Sequence, residues 1–109
     1  MNTTKAQYSA HRKLLIFGNA EAATLATQQL QLLQKDSAGV KERDIEIIPV
    51  KQNSGLHKQY TVSEKVFTVI LVGKDGGEKH RTHKLLSPEA LFAIIDAMPM
   101  RKAEMKRKP

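Results

Sequence analysis

Short apolar runs alternate along this chain with longer segments of helical periodicity. Residues 14–17 (LLIF) lie between two cationic residues and a glycine, which is typical of a strand buried on both faces. Residues 20–38 are rich in strong helix formers, and their apolar positions recur near one helix face. Those positions are Ala22, Leu25, Ala26, Leu30 and Leu33. The pattern predicts a first strand followed by a long helix.

Both ends of this predicted helix carry residues that are common at helix ends. Asn19 is a favourable N-cap residue, and Glu21 would lie in the positively polarised first turn. Gly39 is placed to adopt the left-handed conformation that commonly ends a helix. We therefore expect one continuous helix that ends at Gly39.

The following segments predict two more strands around a short helix. Residues 44–51 are isoleucine-rich and read as a second strand, and Pro49 favours a sheet edge because proline cannot donate a ladder hydrogen bond. A strand, a helix and a strand in this order predict a parallel pair. Residues 54–60 are compatible with two helical turns, and residues 66–72 (VFTVILV) predict a central strand.

The last third of the chain predicts a hairpin and a closing helix. Residues 73–77 contain an Asp-Gly turn, and residues 78–84 alternate charged and polar side chains as an exposed edge strand would. Ser87-Pro88-Glu89 is a helix start, and Pro99 is expected to close that helix. Its predicted buried stripe consists of Leu91, Ile94, Ile95 and Met98. The predicted class is α/β, with the element order β-α-β-(α)-β-β-α.

Length and charge divide the chain into one domain and a tail. The 109 residues allow one core, which we expect to span residues 8–100. The formal net charge is +7, and the last nine residues hold five Lys or Arg against one Glu. Residues 101–109 therefore form a basic tail. Met98, Met100 and Met105 accompany its charges and leave two interpretations open: a short helix that covers the domain's own core, or an apolar edge that docks on an acidic partner.

Composition excludes several classes of activity. The chain has no cysteine, so its own side chains can supply neither a thiolate nucleophile nor a disulfide nor a dithiol redox cycle. Five aromatic residues leave little material for base stacking, which disfavours nucleic-acid binding. We expect no membrane span, no cofactor and, for the chain as it stands, a cytoplasmic location.

Several of these segments together resemble a bacterial domain family of unassigned function. The segments are RKLLIF at residues 12–17, the Arg43-Asp44 pair, TVILVGKDGGEK at residues 68–79 and LSPEALFAIIDAMPMRKAEM at residues 86–105. The family is related to the DUDES domain of vertebrate matrix proteins such as Equarin. The resemblance implies a thioredoxin-like fold with a four-stranded mixed sheet in the order 4-3-1-2, flanked by helices. It implies no reaction, and relatives of this kind look exported to the periplasm or the extracellular space.

The redox position of a thioredoxin-like fold holds no thiol in this chain. Redox enzymes with a thioredoxin-like fold place a reactive cysteine at the start of the first core helix, where the helix dipole lowers the thiol pKa. Here that position reads Gly18-Asn19-Ala20-Glu21-Ala22. Free backbone N–H groups at Gly18, Asn19 and Ala20 could instead bind a phosphate, sulfate or carboxylate. Ordinary capping of the helix by Asn19 is the alternative.

Other candidate groups have structural explanations. The glycine-rich segment at residues 73–79 lacks the spacing of a phosphate-binding loop and reads as a hairpin turn. His80 and His83 are three apart on a predicted strand, so they would face opposite sides and could not share a metal ion. His11 and His57 are isolated, and we expect them at the surface.

Three hypotheses for function follow. The first is an interaction module that binds an unknown protein or a small anionic ligand. The second is an enzyme related to oxidoreductases that acts with a bound cofactor or with a partner's cysteine. The third is a basic adaptor for nucleic acid or a membrane surface, whose binding would depend strongly on salt.

Overall fold

The structure of the protein is a computed structural model that describes residues 9–107. Its strands are β1 (Arg12–Phe17), β2 (Ile45–Val50), β3 (Thr68–Val72) and β4 (Glu78–Thr82). Its helices are α1 (Ala23–Gln34), α2 (Ser37–Glu42), α3 (Gly55–Gln59), α4 (Pro88–Asp96) and α5 (Pro99–Arg107), and a 3₁₀ turn at Ala20–Ala22 precedes α1.

The four strands form one mixed sheet in the order β2-β1-β3-β4. β1 and β2 are parallel, whereas β3 is antiparallel to both β1 and β4. This confirms the predicted order, the parallel first pair and the hairpin. Pro49 lies in β2, an edge strand, as its missing N–H predicts.

Helices cover both faces of the sheet because the central strands are apolar on both sides. Every residue of β3 is buried, and in β1 only the second residue is exposed. One apolar cluster joins β1 and β3 to α1, α2 and α4 through Leu14, Ile16, Leu33, Val40, Val69, Leu71, Leu91 and Ile95. The other joins the opposite face to α3 and its flanks through Leu15, Phe17, Val50, Leu56, Tyr60, Val62, Ile70 and Val72. Ser54 is the N-cap residue of α3, and its side chain accepts a hydrogen bond from the Leu56 N–H group.

The prediction of one continuous helix ending at Gly39 is wrong. α1 ends at Gln34, and Asp36 leaves the helical conformation, with φ −133° and ψ 49°, to cap a separate α2. Gly39 lies inside α2 and is not left-handed. A Cβ atom there would lie 2.6 Å from a ring carbon of Phe92, so the residue is glycine because α2 approaches α4 closely.

Two other details of the first helix also differ from the predictions. The Asn19 side chain makes no capping hydrogen bond, and the first turn begins as a 3₁₀ turn held by a bond from the Ala22 N–H to the Asn19 carbonyl. Leu25 is 37% exposed although it was assigned to the buried face. Leu25 lies in α1 itself, at the margin of the face that carries the buried Gln29 and Leu33.

The C-terminal segment forms a helix within the described residues. α4 ends at Asp96, before Pro99, and Pro99 begins α5 instead of closing α4. Met98 packs against the core, whereas Met100 and Met105 are 38% and 39% exposed. The methionines of α5 therefore do not cover the core. The division into a domain of residues 8–100 and a tail stays a prediction, and residues 108–109 lie outside the described range. In residues 9–107 no helix has the length and apolar character needed to cross a membrane.

Candidate functional site

Polar groups collect where the strands end, at the two opposite borders of the sheet that run across the strands. We call these borders edges, and they are distinct from the edge strands β2 and β4. The β1-exit edge is where β1 ends and β3 begins, since Phe17 pairs with Thr68 there. The β1-entry edge is where β1 begins, beside Asp44 and Lys74. Gly18, Asn19 and Ala20 lie at the exit edge, and Arg12 lies at the entry edge.

The three predicted site residues surround the start of the 3₁₀ turn. A Cβ atom on Gly18 would lie 2.8 Å from the Ala22 carbonyl oxygen, so the chain can turn into the helix only with glycine there. Ala20 has φ 53°, an unusual value for a residue with a Cβ atom. The Asn19 amide nitrogen is buried and has no hydrogen-bond partner within residues 9–107. The side chain predicted to cap this helix therefore keeps an unused donor.

Thr68 and His83 form a hydroxyl–imidazole contact at the same edge, but they cannot act as nucleophile and base. His83 Nδ1 lies 3.2 Å from Thr68 Oγ1 and 3.2 Å from the Phe67 carbonyl oxygen. A carbonyl oxygen only accepts, so Nδ1 carries the proton and cannot remove one from Thr68. The hydroxyl itself donates to the Val66 carbonyl oxygen and is buried. The contact fixes the start of β3.

His57 is buried, which contradicts the expected surface position. Its ring stands edge-on to Phe17, with the centroids 5.0 Å apart. Its Nδ1 atom contacts the Ser54 carbonyl oxygen at 3.2 Å, which places the proton on Nδ1. Nε2 is buried, lies 3.7 Å from Glu64 Oε1 and makes no hydrogen bond with any residue from 9 to 107. In the part of the chain that the structure describes, no three His, Asp or Glu side chains form a metal-binding group.

A network of ion pairs closes the β1-entry edge. Arg12 is 1% exposed, and its guanidinium donates to both carboxylate oxygens of Glu104 at 3.3 Å and to the Arg43 carbonyl oxygen at 2.9 Å. Lys74 donates to Glu104 at 2.7 Å and to Asp44 at 2.9 Å. Residues up to 92 positions apart in the chain are thus held together.

α5 is attached to α4 and α2 by a second set of ion pairs. Arg101 is 1% exposed and binds Asp96 at 3.1 Å and Glu42 at 2.9 Å. Arg43 also binds Asp96, at 2.9 Å, while its guanidinium carbon lies 4.0 Å from the centre of the Phe92 ring. Arg101, which lies in the segment predicted as a basic tail, is therefore buried against α2 and α4.

The surrounding cations lower the pKa of three carboxyl groups in this network. The hydrogen bond from Lys74 lowers the pKa of Asp44 below 3.8, and that from Arg43 does the same for Asp96. Burial by itself would raise the pKa of Glu104, but the hydrogen bonds from Lys74 and Arg12 outweigh it, and the pKa lies below 4.5. All three groups favour the folded state in their ionised forms.

The network predicts loss of stability in acid. A carboxyl group whose pKa is lower in the folded state stabilises that state above its unfolded pKa, and the contribution disappears as the pH falls through the folded pKa. We expect the difference in unfolding free energy between the wild type and Glu104→Gln to be largest above about pH 5 and to shrink toward pH 3. Urea unfolding at a series of pH values measures it.

Glu46 provides the matched control because it is exposed, lies on β2 and loses the same charge in Glu46→Gln. This variant should match the wild type at every pH. A constant difference between wild type and Glu104→Gln from pH 7 to pH 3 would contradict the assignment of the network to acid stability.

Sequence reasoning missed this edge, although a signal for it was present. The segments that carry the family resemblance begin or end here: RKLLIF begins with Arg12, the Arg43-Asp44 pair precedes β2, and the glycine-rich hairpin holds Lys74. The segment MPMRKAEM holds Arg101 and Glu104. Each motif had a local explanation as a turn, an edge or a tail. The structure brings these residues together in one three-dimensional cluster.

A four-stranded sheet of this order, with helices on both faces and the first long helix starting where β1 ends, defines a thioredoxin-like protein. Solved structures show the same fold. The reduced 2-Cys peroxiredoxin of Plasmodium vivax superposes with a TM-score of 0.69 at 15% identity, over 93% of this chain and 83% of that one. Thioredoxin 1 of Thermosipho africanus gives a TM-score of 0.53 at 26% identity, over 88% and 99%.

Residues 4–104 match the family model described as Domain of unknown function (DUF4174), and the chain belongs to that family. Among curated proteins it is similar to the Sushi repeat-containing protein SRPX of rat and of human. Both are 30% identical over 118 residues, which cover 91% of this chain and 25% of theirs. The chain thus spans about a quarter of the length of these relatives.

Proposed function

We propose that this protein is an interaction module, a thioredoxin-like domain that binds a partner protein or a small anionic ligand without thiol chemistry. One observation carries the proposal. At the start of the helix after β1, where the redox reaction of this fold needs a thiolate, the chain has Gly18–Ala22, and all 109 residues lack cysteine. The scaffold is kept while the nucleophile is missing.

Two features of the β1-exit edge support a ligand site. The unused Asn19 amide donor and the N–H groups of the first turn could hold an anion, and the carboxylate of Glu21 in that turn opposes it. The Thr68–His83 contact does not provide an alternative nucleophile, since the imidazole proton is already on Nδ1. These groups support binding at this edge more than they support a reaction.

The positions of the cationic side chains in α5 support the basic-adaptor hypothesis less than their number does. Of the cationic side chains in α5, Arg101 is buried and paired, and Glu104 brings a negative charge into the same helix. Lys102 and Lys106 are exposed. The surface charge of this segment is therefore smaller than its composition indicates, and long-range attraction to a polyanion is weakened accordingly.

The bacterial origin of the chain and the relation to the Equarin-type DUDES domain are part of the same proposal. The identity with the rat and human SRPX proteins supports the relation to vertebrate proteins. A domain that accounts for about a quarter of a larger chain behaves as a module, because it can fold on its own core and be combined with others.

Two measurements test this function. In an insulin-reduction or peroxide-consumption assay we expect no turnover, and reproducible turnover by metal-free and thiol-free protein would overturn the proposal. The ligand site is tested by following amide chemical shifts during titration with phosphate, sulfate and nucleotides. Shifts confined to Gly18–Ala22 are expected.

Charge variants sharpen the ligand test. Glu21→Gln removes the opposing carboxylate and should strengthen anion binding, whereas Glu89→Gln, also an exposed acid in the first turn of a helix, should change nothing. Equal effects of both variants, or no shift at Gly18–Ala22 in any of them, would exclude anion binding at this edge.

A further inference from the structure

Three cationic side chains surround the carboxylate of Glu104. Arg12 binds it through both guanidinium nitrogens at 3.3 Å, in the two-pronged arrangement that arginine forms with carboxylates. Lys74 lies at 2.7 Å from Oε2. Arg101 is 3.7 Å from Oε1. The site has the composition of a carboxylate receptor, and its occupant is a residue of the same chain.

Glu104 does not use all of the donors around it. Arg101 Nη1 is buried and has no hydrogen-bond partner among residues 9–107, and the 3.7 Å to Glu104 Oε1 is too long for a hydrogen bond. A buried guanidinium N–H without an acceptor is costly, because it has lost its water and gained no replacement. A carboxylate placed slightly differently could satisfy this donor.

The helix that carries Glu104 is held to the domain mainly by charge. No residue of α5 belongs to the two apolar clusters of the described chain, and Met100 and Met105 are exposed. The polar contacts of α5 with the rest of the described chain include the ion pairs of Arg101 and Glu104 and a hydrogen bond from Lys102 N to the Met98 carbonyl oxygen. Arg101 stays bound to Asp96 and Glu42, so replacing the Glu104 carboxylate by another would release only the end of α5 and would not expose a hydrophobic core.

A cavity adjoins two of these cations, Arg12 and Lys74. It has a volume of about 390 Å³ and is lined by Arg12, Lys74, Lys79 and Asp75 together with Gly73, Met98, Pro99 and Met100. The methionines and Pro99 provide an apolar wall next to the carboxylate position. A ligand that combined an acid with an adjacent apolar side chain could use both the cations and this wall.

We propose that Arg12, Lys74 and Arg101 form a binding site for an acidic segment of a partner protein, and that Glu104 occupies this site in cis until the partner displaces it. The inference deepens the proposed function by naming the partner's chemistry. An attached competitor has an effective concentration of the order of millimolar. An isolated carboxylate cannot overcome it, whereas an acidic segment whose apolar side chain enters the cavity gains additional contacts. The overall charge of +7 also favours encounter with an acidic partner.

The test uses the full chain and a short acetylated peptide that alternates glutamate with leucine. A peptide with glutamine in place of glutamate is the control probe. We expect Glu104→Gln to bind the acidic peptide about tenfold more tightly than the wild type, because its internal competitor is neutral. Glu46→Gln, which makes the same change in net charge on exposed β2, should bind as the wild type does. Amide shifts should map to Arg12 and Gly73–Gly77.

A second measurement does not depend on folding of the variant. In the wild type, saturation with the acidic peptide should accelerate amide hydrogen exchange in α5 and leave α1 unchanged, whereas the glutamine peptide should have no effect. Equal affinities of Glu104→Gln and Glu46→Gln, or unchanged exchange in α5, would overturn the inference. These results are independent of the redox assays, so failure of this site and failure of the proposed function can be distinguished.

Discussion

Replacing Gln29 by alanine should lower the unfolding free energy by about 4 kcal/mol. The Gln29 side chain is fully buried in α1, where its amide donates to the Leu86 carbonyl oxygen at 2.8 Å and accepts from the Leu86 N–H at 2.7 Å. Both backbone groups lie just before α4 and are buried. Alanine would leave a buried donor and a buried acceptor unpaired and would also create a cavity.

Gln28→Ala is the matched control, since Gln28 is the preceding residue of the same helix and is exposed. It should change stability by no more than about 0.5 kcal/mol. Urea unfolding followed by circular dichroism gives both values. Equal losses of unfolding free energy for Gln29→Ala and Gln28→Ala would contradict a role of the paired hydrogen bonds to Leu86 in joining α1 to α4.

Replacing Arg12 by methionine should lower the unfolding free energy by about 3 kcal/mol. Methionine can fill much of the volume of the arginine stem, but it leaves the Arg43 carbonyl oxygen without its donor and leaves Glu104 with Lys74 as its hydrogen-bonded cation and Arg101 at 3.7 Å. Removing one partner of a buried ion pair costs more than the pair itself contributes, because the other charge stays buried.

Lys13→Met is the control for Arg12→Met, because it removes the same charge from the next, exposed residue of β1. Its effect should stay within about 0.5 kcal/mol. Chemical denaturation at pH 7 and at low pH distinguishes the two variants. The loss of unfolding free energy caused by Arg12→Met should become smaller once Glu104 is protonated. Similar losses for both variants would contradict a stabilising role for the buried guanidinium.

The two candidate regions differ in how far they could be predicted. Gly18, Asn19 and Ala20 were placed correctly at the exit of the first strand, because a glycine after an apolar run and before helix formers is a local signal. The burial of the Asn19 amide nitrogen was not predictable, since it depends on neighbours distant in sequence. The Glu104 cluster was missed because each of its residues has an ordinary local explanation.

The amino-acid sequence by itself determined the order of strands and helices and the absence of thiol chemistry. Runs such as residues 66–72 have too much apolar surface to be anything but central, and a residue type that is missing cannot react. Tertiary structure decided the roles of individual polar residues: Gln29 is buried beside the exposed Gln28, and His57 packs on Phe17. It also decided that Arg101 and Glu104, two residues of the predicted tail, form ion pairs with residues distant in sequence. The physical reason is that burial and pairing depend on which elements meet in space, and periodicity reports only the face on which a residue lies.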